Sequence, residues 1–273
     1  MVDRRDDVAL RMLTDKVLRE RGFGCANYKE RCLRRRIAVR MRARGVHTYE
    51  DYARVLDRDV LEYDRLLDAL TINVTRLFRN REVFDAIAAR VLPALWSSGA
   101  PRLRIWSAGC ASGEETYSLA VIVHQHGAAT GTLGALGRVE ILGTDVHAPS
   151  LEAAAAGAYP GAVFEEVPAE LRATYFSREG PPFQVAPELR RLVRFQAHDL
   201  LREPPPGAGF DLIVCRNVLI YFDRETQERL FAQFHEALAT GGFLVLGMVE
   251  TLLGEARRLF ATVDARTRIF RRP

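Results

Sequence analysis

The sequence predicts an α/β protein, in which an all-helical N-terminal domain precedes a mainly parallel sheet with helices on both faces. Residues 1–70 carry apolar residues at helical spacing, and the second half of the chain alternates strand-like and helix-like runs. Residues 102–115, with the sequence RLRIWSAGCASGEE, begin the alternating pattern. They pass from a buried-strand run through a loop of tiny residues into a helix, the unit that opens nucleotide-binding sheets.

Length and composition set the limits of this prediction. The 273 residues suffice for one large and one smaller domain, and 48% hydrophobic with 27% charged residues is typical of globular proteins. No apolar run approaches the roughly 20 residues of a membrane span, and the N-terminus lacks an apolar signal core. The four cysteines form no C-x-x-C pair and no metal-binding pattern. We therefore expect a reduced, cytoplasmic protein with no membrane insertion and no metal.

The N-terminal domain is predicted to span residues 1–70 and to be helical throughout. A first amphipathic helix should end near Gly22, and residues 47–70 give two further short helices. The first helix has five apolar residues that should form its buried face: Val8, Leu10, Leu13, Val17 and Leu18.

A strongly basic helix is predicted at residues 28–45. Its residues 29–44 hold eight basic residues against one acid, while Leu33, Ile37 and Met41 recur at a spacing that should face a core. Long arginines can simply cover apolar surface, but so many cations of one sign favour a docking face for an acidic partner. Charge alone leaves nucleic acid and an acidic protein both open. The predicted docking residues are Arg31, Arg35, Arg36, Arg40, Arg42 and Arg44.

A linker and connecting helix are predicted at 71–95, followed by a sheet domain at 96–273. Polar residues interrupt the apolar run at 70–80, which is typical of a cleft between domains. The segment at about 177–196 looks like a hairpin inserted into the sheet domain. After the first strand, further strands are predicted at 139–144, 193–196, 210–215 and 242–247, helices at 149–156 and 226–238, and an antiparallel edge at 259–271.

The ligand site is expected where the parallel strands end, near the switch in strand order. Gly109 lets a ligand lie against bare backbone, but the loop lacks the G-x-G-x-x-G pattern of dinucleotide sites. Glu114 and Glu115 begin the next helix, where they would repel a pyrophosphate but accept a cationic or hydroxyl-rich ligand, unless they merely favour the helix dipole. Asp145 follows the second strand, where ribose hydroxyls are usually held.

Two further strand ends carry polar residues. Asp199 is placed to meet an adenine amino group, and Arg216 and Asn217 cap a buried strand. Tyr221 and Phe222 then suit either a lined cleft or core packing.

These motifs together resemble the CheR family of chemotaxis protein methyltransferases. The resemblance covers nearly the whole chain. It rests on NVTRLFRN at 73–80, RIWSAGCASGEETYSLA at 104–120, ILGTD at 141–145, CRNVLIYFD at 215–223 and the basic helix. It implies a Rossmann-like S-adenosylmethionine-dependent methyltransferase domain with a small inserted β-subdomain. The implied activity is methylation of glutamates on the cytoplasmic helical domains of chemoreceptors, which gives methyl esters and S-adenosylhomocysteine, with no nucleic acid as partner.

The resemblance also implies site residues. Arg79 and Tyr221 are expected beside the transferred methyl group. Asp199 departs from the asparagine that is common in the family, and Met248 and Val249 replace polar residues of a family motif. The implied cofactor-binding residues, with Gly109 added from the loop, are Asn73, Thr75, Arg79, Glu115, Asp145, Asp199, Leu200, Arg216 and Asn217.

Other functions remain as alternatives. A non-catalytic signalling module that binds S-adenosylmethionine would share these residues. A nucleic-acid methyltransferase is disfavoured because the Asn/Asp-Pro-Pro-Tyr/Phe motif of amino-group methylases is absent. A nicotinamide dehydrogenase is disfavoured by the missing glycine fingerprint.

Overall fold

The computed structural model describes residues 4–71, 75–177 and 180–273. The chain divides into two compact units, Met1–Asn73 with Tyr221–Thr226, and Val74–Ile220 with Gln227–Pro273. The sequence pattern did not indicate that the short segment Tyr221–Thr226 would belong with the N-terminal helices. No helix in the described ranges is long and apolar enough to cross a membrane.

The first unit is helical, as predicted. Leu33, Ile37 and Met41 are buried, which confirms the predicted inner face of the basic helix. In the first helix Val8 and Leu18 are 57% and 41% exposed, so the predicted apolar face was too wide. The buried stripe of that helix is narrower because it packs mainly against a single neighbouring helix. The helices of this unit are α1 (Arg4–Arg21), α2 (Glu30–Ala43), α3 (Tyr49–Arg58) and α4 (Val60–Thr71).

The second unit is built on a seven-stranded sheet in the order β5-β2-β1-β6-β7-β9-β8. The first five of these strands run parallel, and β9 and β8 add the predicted antiparallel edge. The order reverses beside β1, which has β2 on one side and β6 on the other. The strands are β1 (Leu103–Ala108), β2 (Val139–Asp145), β3 (Ala158–Tyr159), β4 (Phe183–Gln184), β5 (Val193–Ala197), β6 (Phe210–Cys215), β7 (Leu238–Leu246), β8 (Ala261–Asp264) and β9 (Ile269–Arg271).

Helices cover both faces of this sheet, because successive side chains of a strand point to opposite sides. Ile105 of β1 belongs to the same core cluster as Leu119. The neighbouring Trp106 instead packs edge-to-face against Phe234, with ring centroids 5.6 Å apart. Leu119 and Phe234 lie on α7 and α11. The helices of this half of the sequence are α5 (Arg81–Ala86), α6 (Leu92–Ser97), α7 (Glu114–Ala129), α8 (Ala148–Ala156), α9 (Ala169–Tyr175), α10 (Pro187–Arg190), α11 (Arg224–Ala237) and α12 (Ala256–Leu259).

The inserted β-subdomain is a two-stranded antiparallel sheet of β3 and β4, next to an isolated antiparallel bridge between Phe176 and Val185. β4 pairs with β3, which lies before this segment in the chain, and Tyr159 is opposite Phe183. β5 pairs in parallel with β2 and forms the edge of the main sheet. The segment predicted at about 177–196 therefore gives β4 to this subdomain and β5 to the main sheet, since a strand-like pattern shows that a strand exists but not which strand it pairs with.

Candidate functional site

The loop after β1 lies against the end of β2. The backbone N–H groups of Gly109 and Cys110 both donate to the carbonyl oxygen of Thr144, at 2.8 and 2.9 Å. Gly109 has φ +77°, and a Cβ at this position would lie 2.5 Å from Val218 Cγ2. Glycine is therefore required here by both the backbone angle and the lack of space.

Asp145, at the end of β2, holds this loop. Its Oδ2 accepts from the N–H of Ala111 at 2.8 Å, and its Oδ1 accepts from the N–H of His147 at 2.9 Å. Burial raises the pKa of Asp145, and these two N–H groups oppose that shift. Each carboxylate oxygen keeps a further acceptor site, so the group can still accept from a ligand hydroxyl.

Glu114 and Glu115 have different environments at the start of α7. Glu114 is buried and bonded to the hydroxyl of Ser112, so it belongs to the loop structure. Glu115 accepts from Ser107 Oγ at 2.9 Å and from Arg216 Nη1 at 3.3 Å. Burial raises the pKa of Glu115, and the charge of Arg216 opposes that shift.

Arg216 joins the end of β6 to the loop before α5. Its Nη2 donates to the carbonyl oxygen of Arg79 at 2.7 Å and to Asn80 Oδ1 at 3.2 Å. Its side chain is only 2% exposed. Both terminal nitrogens of the guanidinium thus bind protein groups, and direct binding of a cofactor by this side chain stays a prediction.

Glu250 is a functional candidate that the sequence analysis missed. Its Oε2 accepts from the N–H of Gly247 at 2.6 Å and of Asn217 at 3.1 Å, and its Oε1 accepts from Ile220 at 3.2 Å. Burial raises the pKa of Glu250, and the backbone N–H groups oppose the shift. An acid in the loop that follows the buried strand β7 was the available signal. Among the residues that depart from the family motif, Val249 is 75% exposed.

Unusual backbone conformations cluster around this region. Within the described residues five amino acids other than glycine have positive φ, and four of them lie in the loops of this site. Such conformations cost about 1–3 kcal/mol each and persist where the surroundings impose them, often at functional sites. The four residues are Phe78, Asn80, Ala111 and Asn217.

Asp199 extends the site beyond β5. Its Oδ1 accepts from the N–H of Leu201 at 2.8 Å, and no hydrogen bond from the described residues reaches its Oδ2. The adjacent N–H of His198 donates to the carbonyl of Asp145 at 3.0 Å, which ties this loop to the end of β2. Asp199 thus keeps an available acceptor, and its contact with an adenine amino group stays a prediction. Leu200 is half-buried beside it.

The other predicted site residues differ in their surroundings. Thr75 and Arg79 are half-buried, and Asn73 lies outside the described residues. Tyr221 belongs to the first unit, where its carbonyl accepts from the N–H of Lys29 at 2.8 Å. Phe222 is buried and packs edge-on against Tyr28, so it has a core role.

The charges and hydrogen-bond acceptors of this site fit a nucleoside ligand that carries no phosphate group. The half-buried carboxylates of Glu115 and Asp145 provide acceptors and negative charge, and the buried cation Arg216 is paired with Glu115. A phosphate-bearing cofactor would meet these carboxylates unfavourably. A ligand with ribose hydroxyls, an adenine amino group and positive charge matches S-adenosylmethionine. Among the described residues no group of His, Cys, Asp and Glu is arranged to hold a metal.

The basic helix α2 uses half of its predicted docking residues internally. Arg36 donates to the carbonyl of Ala69 at 3.2 Å, and Arg40 donates to both oxygens of Glu62 at 2.9 and 2.8 Å. Arg44 pairs with Asp59 at 3.1 Å. These three arginines are thus engaged within the helical unit, and a docking face that uses all six arginines stays a prediction.

Glu62 explains this arrangement. It is completely buried, and the hydroxyl of Tyr52 also donates to it at 2.9 Å. Desolvation alone would raise the pKa of Glu62, but the hydrogen bonds from Arg40 and Tyr52 outweigh it and the pKa is lowered. The predicted docking residues that stay exposed, without a hydrogen bond or ion pair to a described residue, are Arg31, Arg35 and Arg42.

Two family models match the chain. Residues 73–269 match the S-adenosylmethionine-binding domain of CheR methyltransferase, and residues 9–71 match its all-alpha domain. Chemotaxis protein methyltransferases of Listeria monocytogenes and Listeria innocua are 38% and 37% identical over 92% of this chain and 93% of each relative. That of Borreliella burgdorferi is 31% identical over 85% of this chain and 84% of its own length.

Proposed function

This chain belongs to the CheR methyltransferase family, and we propose that it methylates glutamate side chains of chemoreceptors. S-adenosylmethionine is the methyl donor of this family. The observation that carries the proposal is the pair of half-buried carboxylates, Glu115 and Asp145, beside the Gly109 loop at the strand ends. Glutamates in the cytoplasmic helical domains of the receptors are the proposed acceptors, and the protein is proposed to act in the cytoplasm.

The proposed cofactor contacts follow from the acceptors that remain available. Asp145 would hold the ribose hydroxyls, and Asp199 would accept from the adenine amino group. Glu115 would face the cationic part of the cofactor. Gly109 would offer bare backbone, and the remaining predicted contacts are Asn73, Thr75, Arg79, Leu200, Arg216 and Asn217.

The proposed reaction needs alignment more than acid–base chemistry. Bound S-adenosylmethionine supplies a methyl group on a positively charged sulfur. A glutamate with a reference pKa of about 4.3 is already ionised near neutral pH, so no general base is required. The protein contributes by orienting the reacting groups and excluding water. Arg79, whose backbone is held by Arg216, is proposed to orient the carboxylate, and Tyr221 to act beside the methyl group.

The docking proposal rests on the exposed arginines of α2. Arg31, Arg35 and Arg42 are exposed and carry no ion pair to a described residue. An acidic receptor helix would be attracted to this basic stripe, and the attraction would weaken as salt screens it.

The function is tested by methyl transfer from labelled S-adenosylmethionine to membranes that contain the host receptors. We expect base-labile label on receptor protein, because carboxylate methyl esters hydrolyse in base. Arg79→Ala should lower the rate by about tenfold or more through lost alignment. Arg81→Ala, an exposed arginine two residues away, is the matched control. Label in nucleic acid, or cofactor binding with no transfer, would contradict the proposal.

Tyr221 is tested separately. Tyr221→Phe should lower turnover while calorimetry shows nearly normal cofactor affinity. Weakened binding with unchanged turnover would instead make Tyr221 a binding residue.

The docking face is tested by the triple variant Arg31→Glu/Arg35→Glu/Arg42→Glu. Receptor methylation should fall strongly at low salt, while binding of S-adenosylhomocysteine is unchanged. The triple variant Arg11→Glu/Arg19→Glu/Arg58→Glu makes the same charge change at other exposed positions of the helical unit. Equal losses in both variants would show that total charge matters and not this face.

A further inference from the structure

A second groove lies at the opposite end of the sheet from the cofactor crevice. It has a volume of about 710 Å³ and is formed where β1, β2 and β5 begin. Strands of six or seven residues separate the two ends by roughly 20 Å. The groove is lined by Pro101, Arg102, Gly137, Arg138, Val139, Glu140, Arg191, Leu192 and Arg194.

Four arginines and one glutamate line this groove. Arg102, Arg191 and Arg194 are exposed and form no side-chain hydrogen bond or ion pair with a described residue. Glu140 pairs with none of them. Other arginines of the unit, such as Arg76 and Arg216, are paired with carboxylates. The groove therefore concentrates positive charge that the described part of the protein does not neutralise.

Arg138 is the fixed member of the set. Its Nη1 donates to the carbonyl of Ala100 at 2.6 Å, its Nη2 donates to the carbonyl of Trp96 at 3.3 Å, and its guanidinium lies over the Trp96 ring. Its Nε is buried and has no partner among the described residues. Arg138 thus contributes a positive charge that is fixed in position, and the exposed, unpaired Arg102, Arg191 and Arg194 add three cations around it.

The chemistry of the groove favours phosphate. Guanidinium groups bind phosphate oxygens through two parallel hydrogen bonds and are weakly hydrated, which suits anion recognition. The volume is that of a small-ligand pocket and not of a flat protein interface. No aromatic residue lines the groove, so a nucleotide base would find no stacking surface there. We propose that this groove binds a ligand carrying two or more phosphate groups, recognised through its phosphates.

Calorimetry with inorganic tripolyphosphate, ATP and GTP at low salt tests the proposal. We expect 1:1 binding that persists when S-adenosylhomocysteine saturates the cofactor crevice. Affinity should fall at least about tenfold in Arg191→Ala/Arg194→Ala, because two charged hydrogen-bond donors are lost. Arg229→Ala/Arg258→Ala removes two exposed arginines elsewhere in the same unit and should leave affinity unchanged. Equal affinity for tripolyphosphate and the nucleotides, or tighter binding of tripolyphosphate, supports a site that recognises phosphates. Tighter binding of the nucleotides would show that the base contributes, which would contradict the proposal.

Each of the following results would overturn the proposal. Binding of none of the three probes would do so, as would displacement by S-adenosylhomocysteine, since the anion would then occupy the cofactor crevice. Equal weakening in the control variant, or equal affinity for a phosphate-free poly-glutamate peptide, would mean that general surface charge is responsible. Both variants alter exposed side chains, so circular dichroism should confirm that each is folded.

Discussion

Arg216 Nη2 donates a hydrogen bond to the carbonyl oxygen of Arg79 at 2.7 Å. Arg79 is the proposed catalytic arginine, and this bond fixes its loop against the end of β6. The same guanidinium also bonds to Glu115 at the start of α7. One buried cation thus fixes the loop before α5, the end of β6 and the start of α7 relative to one another.

Arg216→Lys should therefore lower activity. A lysine ammonium is a compact point charge that cannot span both Glu115 and the Arg79 carbonyl in the way a guanidinium fork does. We expect methyl transfer to fall by about tenfold or more, and the free energy of unfolding to fall by about 1–3 kcal/mol. Steady-state kinetics and urea denaturation measure the two effects. Arg90→Lys, at an exposed ion pair, is the control, and an unchanged rate for Arg216→Lys would refute the positioning role.

Glu250→Gln should loosen the loop that follows β6. The carboxylate accepts from three backbone N–H groups, and an amide replaces one acceptor oxygen by a donor that faces an N–H. We expect a loss of about 2–3 kcal/mol in the free energy of unfolding, measured by urea denaturation. Glu255→Gln changes an exposed acid nearby and should have almost no effect. Similar losses in the two variants would argue against the buried acceptor role.

Glu62→Gln should destabilise the helical unit. Removing the charge of the buried Glu62 leaves the half-buried Arg40 without its carboxylate partner. Because water still reaches Arg40, we expect a cost of about 2–3 kcal/mol, below the range for a fully buried pair. Asp51→Asn breaks an exposed pair with Arg54 and should cost less than about 1 kcal/mol. Since the pKa of Glu62 is lowered on folding, its stabilisation is present above the unfolded value and is lost as the pH falls through the folded value. Acid unfolding of the wild type, with a shallower pH dependence in Glu62→Gln, checks this sign.

Cofactor affinity should fall on acidification. Burial raises the pKa of Glu115 and Asp145, so on lowering the pH they become protonated before ordinary carboxyls do. The ionised form should bind the cationic cofactor, and affinity is therefore lost as the pH falls through the raised pKa values of these two carboxyl groups. Calorimetry from about pH 8 to about pH 5 measures this, with the fold checked at each pH. A cofactor affinity that does not change with pH would mean that protonation of neither carboxyl group affects binding.

Gly109→Ala should weaken cofactor binding. The added Cβ would lie 2.5 Å from Val218 Cγ2, and alanine is strained at φ +77°. The loop must shift, so we expect affinity to fall about tenfold or more. Gly134→Ala, where a Cβ meets nothing within 4 Å, is the matched control. Normal affinity in Gly109→Ala would show that the cofactor does not depend on this loop geometry.

Local patterns in the sequence determined the types of most elements. The periodicity of α2 predicted its buried Leu33, Ile37 and Met41, and alternating strands and helices predicted a parallel sheet with an antiparallel edge. The strand ends also predicted where Asp145 and Arg216 would lie. These features depend on residues close together in the chain, so they can be predicted from local sequence patterns.

The tertiary structure alone decided which partner each group meets. Arg40 was as good a docking candidate as Arg42 by sequence, but only Arg40 meets Glu62, which lies on a different helix. Glu250 meets the N–H of Asn217, and β5 pairs with β2 and not with β4, again over long stretches of chain. Such contacts arise because folding brings distant segments together to bury apolar surface and satisfy polar groups. The spacing of residues within one segment therefore cannot predict them.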